Sequence, residues 1–206
     1  MIFGLLARIP LLGDVLRIFN AYAYRGDARA DDRFASVWLW VTAFWLQTTL
    51  SLAGTMLCMP DFTNEYLPLA RTLKYSVQLG PGAMATGILP NLLGFGIGIY
   101  ALIFGLHKML VRDLQESYKR VLADDKPRPG SALILNAEMA VPLIVLTLTI
   151  AIGLVQQIAP SVVGLQFASW LSLWLSLVFT LELIVTLFGL GENAILKTLD
   201  DADNGR

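Results

Sequence analysis

Apolar residues along this chain fall into four long, nearly unbroken blocks, not into the short alternating patterns of a soluble fold. The blocks cover about residues 35–58, 84–107, 133–158 and 166–190, and each can cross a ~30 Å hydrocarbon layer as one helix. The pattern predicts an all-α, polytopic membrane bundle of four transmembrane helices forming one domain over 35–190. Residues 1–34 precede it as an amphipathic segment in which Ile2, Leu5, Leu6, Ile9, Leu12, Leu16 and Phe19 share a helical face away from Arg8, Asp14 and Arg17. Such a segment suits the inner membrane interface or a position packed under the bundle. Pro10 would kink that helix or start a second one.

Between the first two blocks, residues 59–83 hold Pro60, Pro68, Gly80, Pro81 and Gly82, so a loop with a short helix over 66–75 is expected. The second block does not stop at the membrane edge. Leu110, Leu114, Tyr118, Val121 and Leu122 keep helical spacing, which predicts a cytoplasmic extension over 108–125 up to the breaker at 126–130. Residues 191–206 read as a short helical continuation ending in a disordered acidic tail.

The second block is unusual for its glycines. Gly87, Asn91, Gly94, Gly98, Ala101 and Gly105 recur at intervals of four and three, within one stripe ~80° wide. Nearly bare of side chains, that stripe lets another backbone approach closely, either within the chain or between copies around a pore. Asn91 on the stripe reads as an interhelical hydrogen bond or as pore lining. Gly96 points elsewhere, so a second close approach is expected there.

Charge sets the expected orientation. Thirteen of the fifteen basic residues lie before the first block, between the second and third, or after the fourth. The positive-inside rule therefore puts both termini in the cytoplasm. A net charge of −1, with basic residues interleaved with acids, gives no footprint for nucleic acid. A mean hydropathy of +0.63 agrees with a membrane class. The single Cys58 excludes an internal disulfide, and the single His107 excludes a bis-histidine haem and reads as an interfacial anchor or a candidate gating residue. No Walker loop, nucleophile elbow or zincin motif occurs, so no catalytic residue, metal site or cofactor is expected.

Two carboxylates stand out inside the blocks. Glu138 and Glu182 each cost ~2.5–3.5 kcal/mol or more at membrane depth, so each should face protein or water. Counting from the inner ends puts both ~8–12 Å inside the cytoplasmic boundary. They form either a cation or proton site with a gating role, or ordinary pairs with nearby bases and hydroxyls. Three polar faces recur at helical spacing, and the first is expected to point into the bundle. Trp40, Phe44, Gln47, Ser51, Gly54 and Cys58 share one. Glu138, Pro142, Thr149, Gly153 and Gln156 form a second, and Ser169, Ser172, Ser176 and Thr180 a third.

Leu89-Pro90-Asn91-Leu92-Leu93-Gly94-Phe95, followed by Gly98, Tyr100 and Ala101, resembles a segment of small bacterial multi-span inner-membrane proteins, some of which accompany anti-phage defence systems. The resemblance covers roughly twenty residues. It implies a bacterial inner-membrane location and a pore-forming or membrane-perturbing role, and it carries over no functional residue. Three readings follow from the whole sequence. The first is a homo-oligomeric channel lined or gated by the second span. The second is a non-conducting adaptor that binds a partner helix by the glycine face and a cytoplasmic protein by the extension. The third is a small secondary transporter, for which no inverted repeat is visible.

Overall fold

In a computed structural model the described residues are 9–25, 30, 33–59, 80–106 and 132–204, and their regular structure is helical. Five helices follow in order: α1 (Leu12–Ala23), α2 (Val37–Cys58), α3 (Pro81–Leu106), α4 (Ala132–Ile158) and α5 (Val163–Asn204). Stretches of α2, α3, α4 and α5 are long and apolar enough to cross a membrane, which makes this a multi-pass membrane protein. The expected loop helix at 66–75, the extension at 108–125 and residues 1–8 of the amphipathic segment lie outside the described residues.

Local chemistry explains where the helices begin. The Ser36 hydroxyl accepts the Leu39 N–H at 3.4 Å and caps α2. Pro81 opens α3, three residues earlier than hydropathy suggests; a proline fits the first helical position because its missing N–H would be unused there. Pro90 and Pro142 sit inside α3 and α4 without ending them. Each removes one intrahelical bond, but a hydrocarbon surround gives a broken helix no water to turn to. At the far end α5 runs through Asn204, so the backbone of the acidic segment is helical where its composition predicts disorder.

The helices α4 and α5 form the centre of the bundle: α5 packs on α2, α3 and α4, and α4 also packs on α3 and α1. Small residues set the closest approaches. Gly54 of α2 lies against the indole of Trp174, where a Cβ would overlap the ring. A Cβ on Gly96 would lie 2.5 Å from Leu143 of α4, and one on Gly153 would lie 2.9 Å from Ala85 of α3. Side-chain hydrogen bonds join α4 to both α3 and α5. The Gly82 N–H donates to Gln156 Oε1 at 3.2 Å, and Gln157 Nε2 donates to the Thr86 hydroxyl at 2.9 Å. Buried Thr149 donates to the Ser172 carbonyl at 3.0 Å and shares a 2.6 Å bond with the Ser176 hydroxyl. Polar residues on α4 and α5 thus meet each other, as the absence of water requires.

The second half of α1 is built into the bundle. Tyr22 joins Ala137, Val141, Val145 and Phe179 in one apolar cluster, with Ile18, Phe19 and Phe44 packed against it. Ile9 and Leu12, part of the expected apolar face, are instead exposed, and the polar Asn20 is fully buried. Asn20 explains the arrangement. Its amide donates to the carbonyls of Ala30 and Arg33 at 2.7 and 2.8 Å, and its oxygen accepts the Ala35 N–H at 2.8 Å. One side chain therefore fastens α1 to the approach to α2.

Candidate functional site

The carboxylates of α4 and α5 converge on a cavity of about 350 Å³ lined by Tyr22, Arg25, Gln47, Ile134, Glu138 and Glu182, with Trp45 and Leu46 among the other walls. Each helix delivers its residue for a local reason. Tyr22 is in the last turn of α1, and α1 stops just beyond it as Arg25 takes a left-handed φ of 51°. Gln47, Ser51 and Thr55 follow one another up the buried face of α2, the two hydroxyls bonding back to the carbonyl four residues earlier at 2.6 and 2.7 Å. Glu138 begins the α4 stripe that continues through Pro142, Thr149, Gly153 and Gln156, all four buried. Glu182 lies further along α5 than Thr149's partners Ser172 and Ser176, about two turns beyond the second.

The polar contacts centre on Glu182. Tyr22 Oη donates to Glu182 Oε1 at 2.5 Å, and Gln47 Nε2 donates to Glu182 Oε2 at 3.2 Å while also reaching the Tyr22 oxygen at 3.2 Å. Burial pushes the Tyr22 phenol well above its ordinary range. The hydrogen bond to Glu182 and the negative charges of Glu182 and Glu138 act in the same direction, with Arg25 opposing. Tyr22 therefore stays protonated and remains a donor. Gln47 is only 8% exposed, and its Oε1 has no partner among the described residues. No hydrogen bond or ion pair among the described residues meets the Glu138 carboxylate either. Pro142, which has no N–H, also leaves the Glu138 carbonyl without its helical donor. The Arg25 guanidinium, which carries only donors, lines the same cavity.

Glu138 and Glu182 are thus brought to one cavity, whereas His107 lies outside the described residues. Tyr22 and Gln47 complete the cluster. Gln47 stands on a face expected to point inward, but Tyr22 reads in sequence only as an aromatic on an amphipathic helix. Its bond to a residue 160 positions away leaves no local signal.

The glycine stripe takes no part in this cavity. Gly87, Asn91, Gly94, Gly98 and Ala101 are all exposed, and a Cβ on Gly87, Gly94 or Gly98 would meet nothing within 4 Å. The face by which α3 packs inside the chain is made by Ala85, Leu89, Leu92, Leu93, Gly96 and Tyr100. The surroundings of Gly105 lie outside the described residues. Among the described residues no group of three or more His, Cys, Asp or Glu could hold a metal ion. Comparison of the chain with known protein families, curated proteins and solved structures found no match.

Proposed function

We propose that this chain is a homo-oligomeric inner-membrane channel whose copies meet along the outward stripe of α3, with Glu138 and Glu182 on the cytoplasmic side as gating or ion-interacting residues. The observation that carries this reading is the stripe's direction. Four residues with little or no side chain, Gly87, Gly94, Gly98 and Ala101, share one exposed face of α3, and among the described residues no other helix covers them. Lipid gains little from a bare helix surface, whereas a second helix gains close van der Waals contact along it. Asn91 supports the same reading, because an exposed amide in the outer half of a span finds a hydrogen-bonding partner in another copy or in a water-filled path but not in acyl chains.

The orientation rests on the basic residues, thirteen of which fall on one side of the four spans, and a bacterial setting rests on the resemblance of the α3 segment. Reconstitution into liposomes tests the proposal. Purified protein should release a trapped ion or small dye, and Gly98→Leu should abolish release while expression and thermal stability stay unchanged. Electrically silent bilayers and a monomeric protein would favour the adaptor, in which the same face takes the helix of a different protein.

A further inference from the structure

We infer that the apolar groove between α2 and α4 holds one acyl chain of a membrane phospholipid as a resident part of the folded bundle. The groove shares no residue with the α3 stripe, so the site stands whether or not copies assemble there or conduct.

Helix packing makes the groove. Both α2 and α4 pack on α5, but among the described residues they hardly touch one another. The space between them is an open cavity of about 490 Å³, with Trp40 and Phe44 of α2 on one side and Val145 and Leu148 of α4 on the other. Phe179 of α5 and Phe19 of α1 complete its lining. Trp40 stacks between Phe34 and Phe44 at ring centroid distances of 5.5 and 5.4 Å, so the α2 wall is a continuous aromatic surface. In a bilayer no hydrophobic force pushes α2 onto α4 to close the gap. Left empty, it would forfeit dispersion contacts along its whole lining.

The chemistry of the walls selects an apolar occupant. Thr149 and Ser172 line the groove, but their hydroxyls are spent inside the bundle. Thr149 bonds the Ser172 carbonyl and the Ser176 hydroxyl, and Ser172 donates to the Ser169 carbonyl at 3.1 Å. The Trp40 Nε1 has no partner among the described residues and almost no accessible surface, so no ligand reaches it. No charged side chain lines the groove, and the lone Thr48 hydroxyl is too little to hold an ion or a polar molecule.

Size separates an acyl chain from a helix. Trp40, Phe44 and Thr48 follow one another along α2 and set a length of ~12 Å. A helix ~10 Å across takes up roughly 400 Å³ per turn, so the groove admits little more than one turn. A protein partner confined to it would bury a small part of the ~800 Å² per side that a stable complex needs. A single file of methylenes fits the space and leaves no polar group unsatisfied. The groove begins within a turn of the α2 N-terminus, so the chain belongs to a lipid of the leaflet on the α1 side.

The test takes the full chain in mild detergent, delipidates it, adds back dioleoylphosphatidylcholine and weighs the complexes by native mass spectrometry. Saturable binding of one tightly held lipid per chain is expected, and delipidation should lower the melting temperature. Leu148→Trp and Val41→Trp each place an indole in the groove from exposed positions on opposite walls, so one serves if the other fails to fold. Both should lose the held lipid and the melting shift. Leu181→Trp, at an exposed position outside the groove, should keep both. The inference is overturned if no lipid is held, if delipidation leaves the melting temperature unchanged, or if the folded groove variants hold the lipid as the unaltered chain does. It is equally overturned if Leu181→Trp loses the lipid as they do, or if the groove variants change the subunit count and keep the lipid, which would assign the groove to a second copy. A silent bilayer with the lipid still held removes the channel and keeps this site.

Discussion

Gly54 and Gly94 occupy similar apolar helices but differ in what surrounds them. A methyl group on Gly54 would run into the Trp174 ring, while one on Gly94 would meet nothing within 4 Å. Gly54→Ala should therefore lower thermal stability in detergent, by ~1–3 kcal/mol for an overpacked contact, and Gly94→Ala should leave the isolated chain as stable or slightly more so. Tyr22 gives a second prediction at this scale. Its phenol is held above its ordinary range in the folded protein, chiefly by burial. Above about pH 10 an unfolded chain releases that proton while the folded one retains it, so stability falls as pH rises through this region. Tyr22→Phe should flatten that alkaline loss in a comparison of melting temperatures at pH 8 and pH 11; an unchanged slope would contradict the assignment. The two acids of the site were legible in the sequence because a carboxylate inside an apolar block is conspicuous. Tyr22 was not, because its bond to Glu182 depends on how α1 packs on α4 and α2, which no neighbouring residue announces.

At the scale of the elements, the four spans could be read from hydropathy alone, and their observed bounds differ mainly where a side chain or a turn sets the limit. Pro81 starts α3 three residues before the apolar block, and α5 continues past Leu190 to Asn204. Helical spacing groups Gln47 with Ser51, Thr149 with Gln156, and Ser169 with Ser176, but only the first face was legible as inward; that the other two are buried is seen in the structure. The placement of α1 was less so. Amphipathicity distinguishes an apolar side from a polar one but does not say that Asn20 will be the buried anchor of the connection to α2. Replacing Asn20 by alanine removes three hydrogen bonds and strands two carbonyls and one N–H. At ~1–3 kcal/mol for each buried group left unpaired, α1 should detach from the bundle or the protein should lose much of its stability. Limited proteolysis between residues 24 and 34 should speed up markedly in Asn20→Ala; unchanged cleavage would show that α1 is held by its apolar contacts with α4.

On the scale of the whole molecule, the chain sorts its small residues between two uses. Gly54, Gly82, Gly96 and Gly153 bring helices of the same chain together, and Gly87, Gly94 and Gly98 remain on the outside. Periodicity showed that the second group shares a stripe, but it could not say which way the stripe faces, because both groups have the same composition. Orientation is decided by the rest of α3: Leu89, Leu93 and Tyr100 need the contacts with α4 and α5, and that turns the bare face outward. The proposal that copies assemble on this face is tested most directly by counting subunits with native mass spectrometry from nanodiscs, for the unaltered chain and for Gly94→Leu with Gly98→Leu. The account predicts a defined oligomer for the first and monomers for the double variant, with equal melting temperatures for the monomer fold. A monomeric unaltered chain, or an oligomer untouched by two leucines on the stripe, would contradict it.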